Sequence, residues 1–384
     1  MASAGALHPV NAHLMVGPGC SLPPGRYAYD PLEHRARLRG PAPADAPPGL
    51  AVVLTVTVQR TASHYGHRAW PLLLLDTGHA AAALAMAAVA HGYRARVTLN
   101  ADAAELAAAA GLPAPGRWHA TWAGTTPEQP LAAVHITLHA DASGRFDRRP
   151  LTTWAAEPFA APPVAGPASG LAPGPAGRRA GAVLAALARS ADSAVWWPAG
   201  SPPMCEGPSL ARAIARRRSA PPPLNGQPDD AALATVLTSA GESSPCGPAW
   251  CAAVGTPPGL VVADPAEPRV LRLVAKGEAR PTLAVWAARQ GWLAEAGAVL
   301  IGEGVPDGAS AEQVRVAHLA AGYAVACAEL TATALGLRTR PIGSWQAADL
   351  GAALGGRAGR RWILHGLALA APLPVSLPSR SERR

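Results

Sequence analysis

Apolar positions in this chain fall into two patterns. Residues 72–90 are leucine and alanine on nearly every side, with Asp76 and His79 as their only titratable side chains, and residues 310–336 are similarly rich in alanine. Stretches apolar on most sides belong in an interior, and the Asp and His within the first predict a buried helix rather than a membrane span. Shorter apolar runs at 52–58 and 298–301 predict strands.

Polar punctuation bounds these elements. Ser310-Ala-Glu-Gln313 is a capping box that starts the second long helix. Gly92 and Gly336 close the two helices as C-caps, and Arg94, Arg96, Arg338 and Arg340 follow where cations complement the helix dipole. Residues 209–217 make a short helix halted before the prolines at 221–223; Asp229 or Asp230 caps another, with Leu233, Val236 and Leu237 at helical spacing. Residues 158–177 are rich in Pro, Gly and Ala without periodicity, the composition of a linker.

The two sides of that linker repeat each other. Residues 24–35 and 258–269 share the pattern P-G-x-x-x-x-D-P-x-E-x-R at an offset of 234, which predicts a hairpin entered by a Pro-Gly turn and turned at Asp-Pro. Gly78 and Gly92 match Gly322 and Gly336 at an offset of 244, so the long helices correspond. The predicted unit is a hairpin, a helix, a strand and a long buried helix. The two helices upstream of the second hairpin have no counterpart before the first. The chain therefore divides into a truncated copy at 1–157, a linker at 158–177 and a fuller copy at 178–384.

With 384 residues and 49% hydrophobic content, two units can each bury a core. Charged residues are only 15% of the chain, which suggests surface covered by a partner or a second subunit. The net charge of +8 is carried by arginine, Lys276 being the only lysine, and guanidinium groups suit bidentate binding of phosphate or carboxylate. The arginines are scattered rather than interleaved with aromatics in a stripe, so a phosphate-bearing ligand fits better than nucleic acid. Five cysteines without a CxxC pair indicate neither a disulfide framework nor a zinc site, and with no secretory signal a cytoplasmic location is expected. His64 and His67 have no cysteine or carboxylate near them in sequence, so no metal site is expected there. Dinucleotide, P-loop, zincin and hydrolase readings all lack their motifs.

From about residue 205 to 370, Arg216-Arg217-Arg218-Ser219 at a helix end is followed by a capped helix, the small-residue turn Ser243-Ser244-Pro-Cys-Gly247, a Pro-Gly hairpin, and a long helix leading into Leu-Arg-Thr-Arg-Pro-Ile-Gly343. That order resembles an FMN-binding, nitroreductase-like protein. The tandem arrangement and the phrase Arg60-Thr-Ala-Ser-His64-Tyr65-Gly-His-Arg68-Ala-Trp70 are similar to the azoline dehydrogenase branch, which aromatises thiazolines and oxazolines in ribosomal peptides.

The resemblance implies an α+β, nitroreductase-like pseudo-tandem with a degenerate N-terminal copy. It implies FMN as cofactor, with its phosphate on Arg217 and Ser219, Arg218 beside them, and its ring along Ser243, Ser244 and Gly247. Pro221 stands where the family often has a further basic residue, and Arg338 or Arg340, near Gly343, would supply that charge. His64-Tyr65 stands where family members commonly carry a Lys-Tyr pair, and is the candidate base for removing a proton from the azoline carbon. The implied activity is FMN-dependent oxidation of azolines to azoles in a ribosomally made, post-translationally modified peptide. The implied partners are that precursor peptide, a cyclodehydratase complex and a second subunit in a homodimer, with no nucleic acid and no membrane. A catalytically silent scaffold of the same complex and a general NAD(P)H-dependent nitroreductase are the alternatives. Because phosphate-type residues lie in one half and the base-like pair in the other, a composite site at an interdomain or dimer interface would use both.

Overall fold

The computed structural model describes residues 2–123, 125–137, 150–157, 159, 174–188, 194–345, 348–354, 357–359 and 361–373. The first half runs β1 (Val10–Val16), β2 (Gly25–Asp30), β3 (Arg35–Pro41), β4 (Leu50–Val56), α1 (Val58–Tyr65), α2 (Ala69–Ala90), β5 (Arg94–Thr98), α3 (Ala103–Ala110), α4 (Trp118–Thr121), β6 (Gln129–Thr137), α5 (Thr152–Ala156), α6 (Pro175–Leu187) and β7 (Trp197–Pro198). The second half runs α7 (Pro208–Arg216), α8 (Asp230–Glu242), β8 (Ala249–Gly255), β9 (Pro258–Ala263), β10 (Leu271–Lys276), α9 (Arg280–Trp286), β11 (Ala298–Gly304), α10 (Ala311–Ala334), β12 (Arg338–Ile342), α11 (Leu350–Ala353) and β13 (Trp362–Ala370).

The repeat seen in sequence is a repeat of topology. One sheet is ordered β3-β2-β1-β4-β6-β5-β7 and the other β10-β9-β8-β11-β13-β12, the same antiparallel order apart from β7. The Asp-Pro turns agree atom for atom: Asp30 Oδ1 accepts from the N–H groups of Leu32 and Glu33, and Asp264 Oδ1 from those of Ala266 and Glu267. Each central strand is buried on both faces, which is why 52–56 and 298–301 read as mostly apolar runs. Val52, Leu54 and Val56 face the inner helices while Ala51 and Val53 face an outer layer containing Trp118 and Trp154. Leu300 and Ala298 divide from Val299 and Ile301 in the same way on β11.

The halves meet through α2 and α10, which cross backbone to backbone. A Cβ on Gly78 would stand 2.0 Å from Leu319 O, and one on Gly322 would stand 2.2 Å from Leu75 O. The contact is reciprocal at the repeat offset of 244, as a two-fold interface requires, although both partners belong to one chain. Both helices end in the same Schellman cap. Gly92 and Gly336 take positive φ, Tyr93 N–H donates to Ala88 O, and Leu337 N–H donates to Ala332 O. At the start of α10, Ser310 and Gln313 form the expected capping box.

Several expectations are corrected. A strand, β1 or β8, precedes each hairpin; Asn11 and His13 interrupt the apolar pattern of the first, and the second is rich in alanine, which has low strand propensity. The helix expected between hairpin and central strand exists only as α9, because the matching stretch 41–49 holds four prolines that cannot donate helical hydrogen bonds. The helix expected at 209–217 ends at Arg216. Of the expected linker, 158 and 160–173 lie outside the described residues, and 175–177 open α6 with Pro175 in its first turn. That helix packs on α1 and α2, and β7 extends the first sheet beside β5, so the chain up to residue 198 joins the first half in space. The span Val58–Ala90 is long and apolar enough to cross a membrane by length and composition, and most of it is buried in this fold.

Gly78→Ala is expected to lower the urea unfolding midpoint, because overpacking at the crossing costs roughly 1–3 kcal/mol. Gly181→Ala in α6, where a Cβ meets nothing within 4 Å, is expected to raise it, helix propensity adding roughly 0.5–1 kcal/mol of stability. Equal effects at the two sites would contradict the close approach.

Candidate functional site

A cavity of about 520 Å³ lies at the junction of the two halves. Tyr65 enters it from α1, Asp76 and His79 from α2, Arg217, Arg218 and Ser219 from the segment after α7, Arg340 and Gly343 from β12 and its exit, and His365 from β13. The N-terminal residues Ala2–Ala6 and His8 complete the wall.

Local structure explains why the Arg-x-Ser element lies there. Arg217 leaves the helix, its N–H still donating to Ala213 O at 2.8 Å while its own backbone is extended. The next residues run beside β12: Ser219 bridges Thr339, and Ala220 N–H donates to Thr339 O at 2.7 Å. Arg340 donates back to Ala220 O at 3.3 Å, and its guanidinium lies 5.9 Å from the Trp292 ring centroid. Gly343 admits a close approach, since a Cβ there would stand 2.9 Å from Leu72 Cδ2.

Arg217 has a buried counter-charge. Its Nη1 stands 3.5 Å from Glu329 Oε1, and that nitrogen has no hydrogen-bond partner among the described residues. Burial raises the Glu329 carboxyl to about 7 despite the arginine. Asp76, 4% exposed, accepts from Ser3 Oγ at 2.9 Å and from Ala4 N–H at 3.0 Å, and burial raises it to about 7. Tyr65 is also raised, by burial first and by Asp76 second, with Arg68 only partly opposing. At neutral pH it is therefore a phenol, able to donate a hydrogen bond.

His79 and His365 share a hydrogen bond, Nε2 to Nε2 at 2.9 Å, and His365 Nδ1 lies 3.0 Å from Ile342 O. The carbonyl can only accept, so His365 carries its proton on Nδ1 and His79 donates from Nε2. That leaves His79 Nδ1 as a buried acceptor with no partner among the described residues. Burial pushes His79 well below its ordinary range and His365 to about 4, so both are neutral at pH 7.

Six of the residues singled out in sequence therefore line one cavity: Tyr65, Arg217, Arg218, Ser219, Arg340 and Gly343. Five do not. His64 is exposed, its ring packed edge-on against Tyr65 with centroids 4.7 Å apart. Arg338 donates to the carbonyls of Pro223, Asn225 and Ala371 and so serves the fold rather than the cavity. Ser243 lines a second cavity of about 340 Å³, and Ser244 and Gly247 belong to the same turn, away from the arginines. This second cavity touches α10 at Tyr323, the repeat counterpart of His79, but no arginine lines it and Trp197 stands in its wall. Asp76, His79, His365 and the N-terminal segment escaped the sequence reading as site residues. Their signal was present in Asp76 and His79, two polar residues three apart in an otherwise apolar helix.

No family model matches the chain, and no curated protein matches it. Among solved structures it is similar to a candidate nitroreductase from Anabaena variabilis, with a TM-score of 0.70 and 18% identity over 97% of this chain and 82% of that one. A shorter candidate nitroreductase from Desulfovibrio desulfuricans, solved with FMN, matches with a TM-score of 0.32 and 23% identity over 46% of this chain and 92% of that one. At full length the chain has the nitroreductase-like fold.

The raised carboxyls have a stability consequence. Between the ordinary Glu value of 4.5 and about 7, the folded chain holds a proton on Glu329 that the unfolded chain releases, so this group's contribution falls as pH rises through that window. Relative to wild type, Glu329→Gln is expected to gain roughly 1–3 kcal/mol in urea unfolding between pH 5 and pH 8. A difference independent of pH would show that Glu329 stays ionised.

Proposed function

We propose that this protein is an FMN-dependent oxidoreductase that converts azolines to azoles in a ribosomally made, modified peptide. The supporting observation is that one cavity, inside a single chain, joins Tyr65 of the first half to the Arg217–Ser219 wall of the second.

The residues present fit the cofactor. The cavity volume lies within the range of about 300–1,000 Å³ usual for such ligands. Arg217, whose Nη1 stands 3.5 Å from Glu329 Oε1, lines the cavity together with the Ser219 hydroxyl and Arg340. A phosphate dianion would take a guanidinium fork and a hydroxyl donor there. FMN, when bound, supplies a two-electron acceptor. Tyr65 holds its proton and donates a hydrogen bond to the substrate, and the N-terminal segment helps exclude water. The precursor peptide and a cyclodehydratase complex are the partners this reading calls for.

Purified protein is expected to be yellow, with about one FMN per chain, since the second cavity has no arginine in its wall. A colourless protein that refuses added FMN would favour a silent scaffold, and flavin bleaching by NADPH alone would favour a general reductase. Arg217→Ala is expected to weaken FMN binding by about 10- to 100-fold, as loss of a charge-assisted contact worth roughly 1.5–3 kcal/mol implies, while Ser243→Ala leaves it unchanged. Tyr65→Phe is expected to retain flavin and slow azole formation by about 10²-fold; an unchanged rate would reduce Tyr65 to packing.

A further inference from the structure

We propose that Asp76 is the group that takes the proton from the azoline ring, an inference that rests on the azoline-oxidising reading above. That reading leaves a vacancy, because His64 lies outside the cavity and Tyr65 keeps its own proton.

Asp76 has the right place and an otherwise unexplained cost. It lies on the cavity wall in the middle of α2, whose buried face is leucine and alanine, and no arginine or lysine pairs with it among the described residues. Its donors are the neutral Ser3 hydroxyl and the Ala4 N–H. A buried carboxyl without a counter-charge destabilises the fold, and an asparagine could anchor the same N-terminal segment without that penalty. Such a group at a cavity is a candidate functional residue with a physical rationale. Each oxygen keeps acceptor capacity beyond the bonds it already receives.

Among the described residues, the remaining titratable and charged groups around the cavity do not compete. They are His8 on the N-terminal segment, Tyr65 on α1, His79 on α2, Arg217 and Arg218 after α7, Arg340 on β12 and His365 on β13. Arginine is no base at neutral pH. His79 and His365 are bonded to each other and too weakly basic. His8 is exposed. Asp76, held at about 7, is matched to proton transfer near neutrality.

In the step inferred, a ring carbon gives its proton to the Asp76 carboxylate, which becomes a carboxylic acid. The hydrogen on the adjacent ring carbon leaves with its electron pair as hydride to oxidised flavin, the two-electron acceptor. A carbon–carbon double bond forms between the two carbons and the ring becomes aromatic.

The test uses the full chain in wild-type, Asp76→Asn and Ser3→Ala forms. FMN affinity is measured by titration, azole formation by single turnover on an azoline-bearing peptide, and carboxyl protonation by infrared titration without cofactor. Asp76→Asn is expected to bind FMN as wild type does and to turn over about 10²-fold more slowly, without the rise in rate as pH passes about 7. It should also lose one of the two carboxyl signals that titrate near 7, the other belonging to Glu329. Ser3→Ala removes a donor to the ionised form, so the midpoint of rate and of infrared signal should move upward together. An Asp76→Asn protein that keeps the rate and its pH rise overturns the assignment while the flavin reading stands. Wild type that binds no FMN, or binds it and leaves azolines untouched, overturns the reading itself and the assignment with it. Should Asp76→Asn fail to fold, a Ser3→Ala rate midpoint that does not move overturns the assignment.

Discussion

Two glycines allow α2 and α10 to cross with their backbones in contact, and the position of every functional group follows from that crossing. Gly78 and Gly322 each lie under a carbonyl of the opposite helix, Leu319 O and Leu75 O, leaving no room for a side chain. The central turns of both helices are apolar on most sides because each is covered on its own side by a sheet and on the other by its partner. One continuous core therefore spans both halves, from Val52 and Leu54 on β4 to Leu319 and Tyr323 on α10. An interface of this reciprocal kind normally joins two copies of a chain; here the two copies are covalently linked and have diverged.

Divergence appears in how each half uses its arginines. In the first half Arg26 donates to the carbonyls of Pro41, Ala109, Trp154 and Glu157, and Arg39 contacts His13 Nδ1 while lying 4.5 Å from the centre of the Trp122 ring. These guanidiniums hold loops and outer helices to the sheet. In the second half Arg217, Arg218 and Arg340 face a cavity instead. The same topology thus carries a structural set of cations on one side and an arginine-lined cavity wall on the other.

Burial then sets the protonation of the groups between the halves. Asp76, His79 and His365 lose water without gaining a counter-charge, and for Glu329 the loss of water outweighs its pairing with Arg217, so the carboxyls rise toward neutrality and the imidazoles fall below it. Around the cavity, the carboxyl of Asp76 is thus weakly charged near neutral pH while Arg217, Arg218 and Arg340 keep their charge.

The sequence alone determined the elements and their duplication. Local signals suffice for these: the capping box at Ser310, the glycines at 92 and 336, the Asp-Pro turns at 30 and 264, and apolar runs buried on both faces. It also marked Arg217 and Ser219, because their order relative to the following helix and hairpin is local. Only the tertiary structure decided which marked residues meet. Tyr65 and Arg217 are far apart in the chain and share a cavity only because α2 and α10 cross where they do, whereas Ser243, close to Arg217 in sequence, faces the other cavity across α8. The role of Asp76 depends on the same fact, since a carboxyl in an apolar helix acquires its chemistry from burial, cavity and N-terminal segment together, and burial is a property of packing that no local pattern specifies.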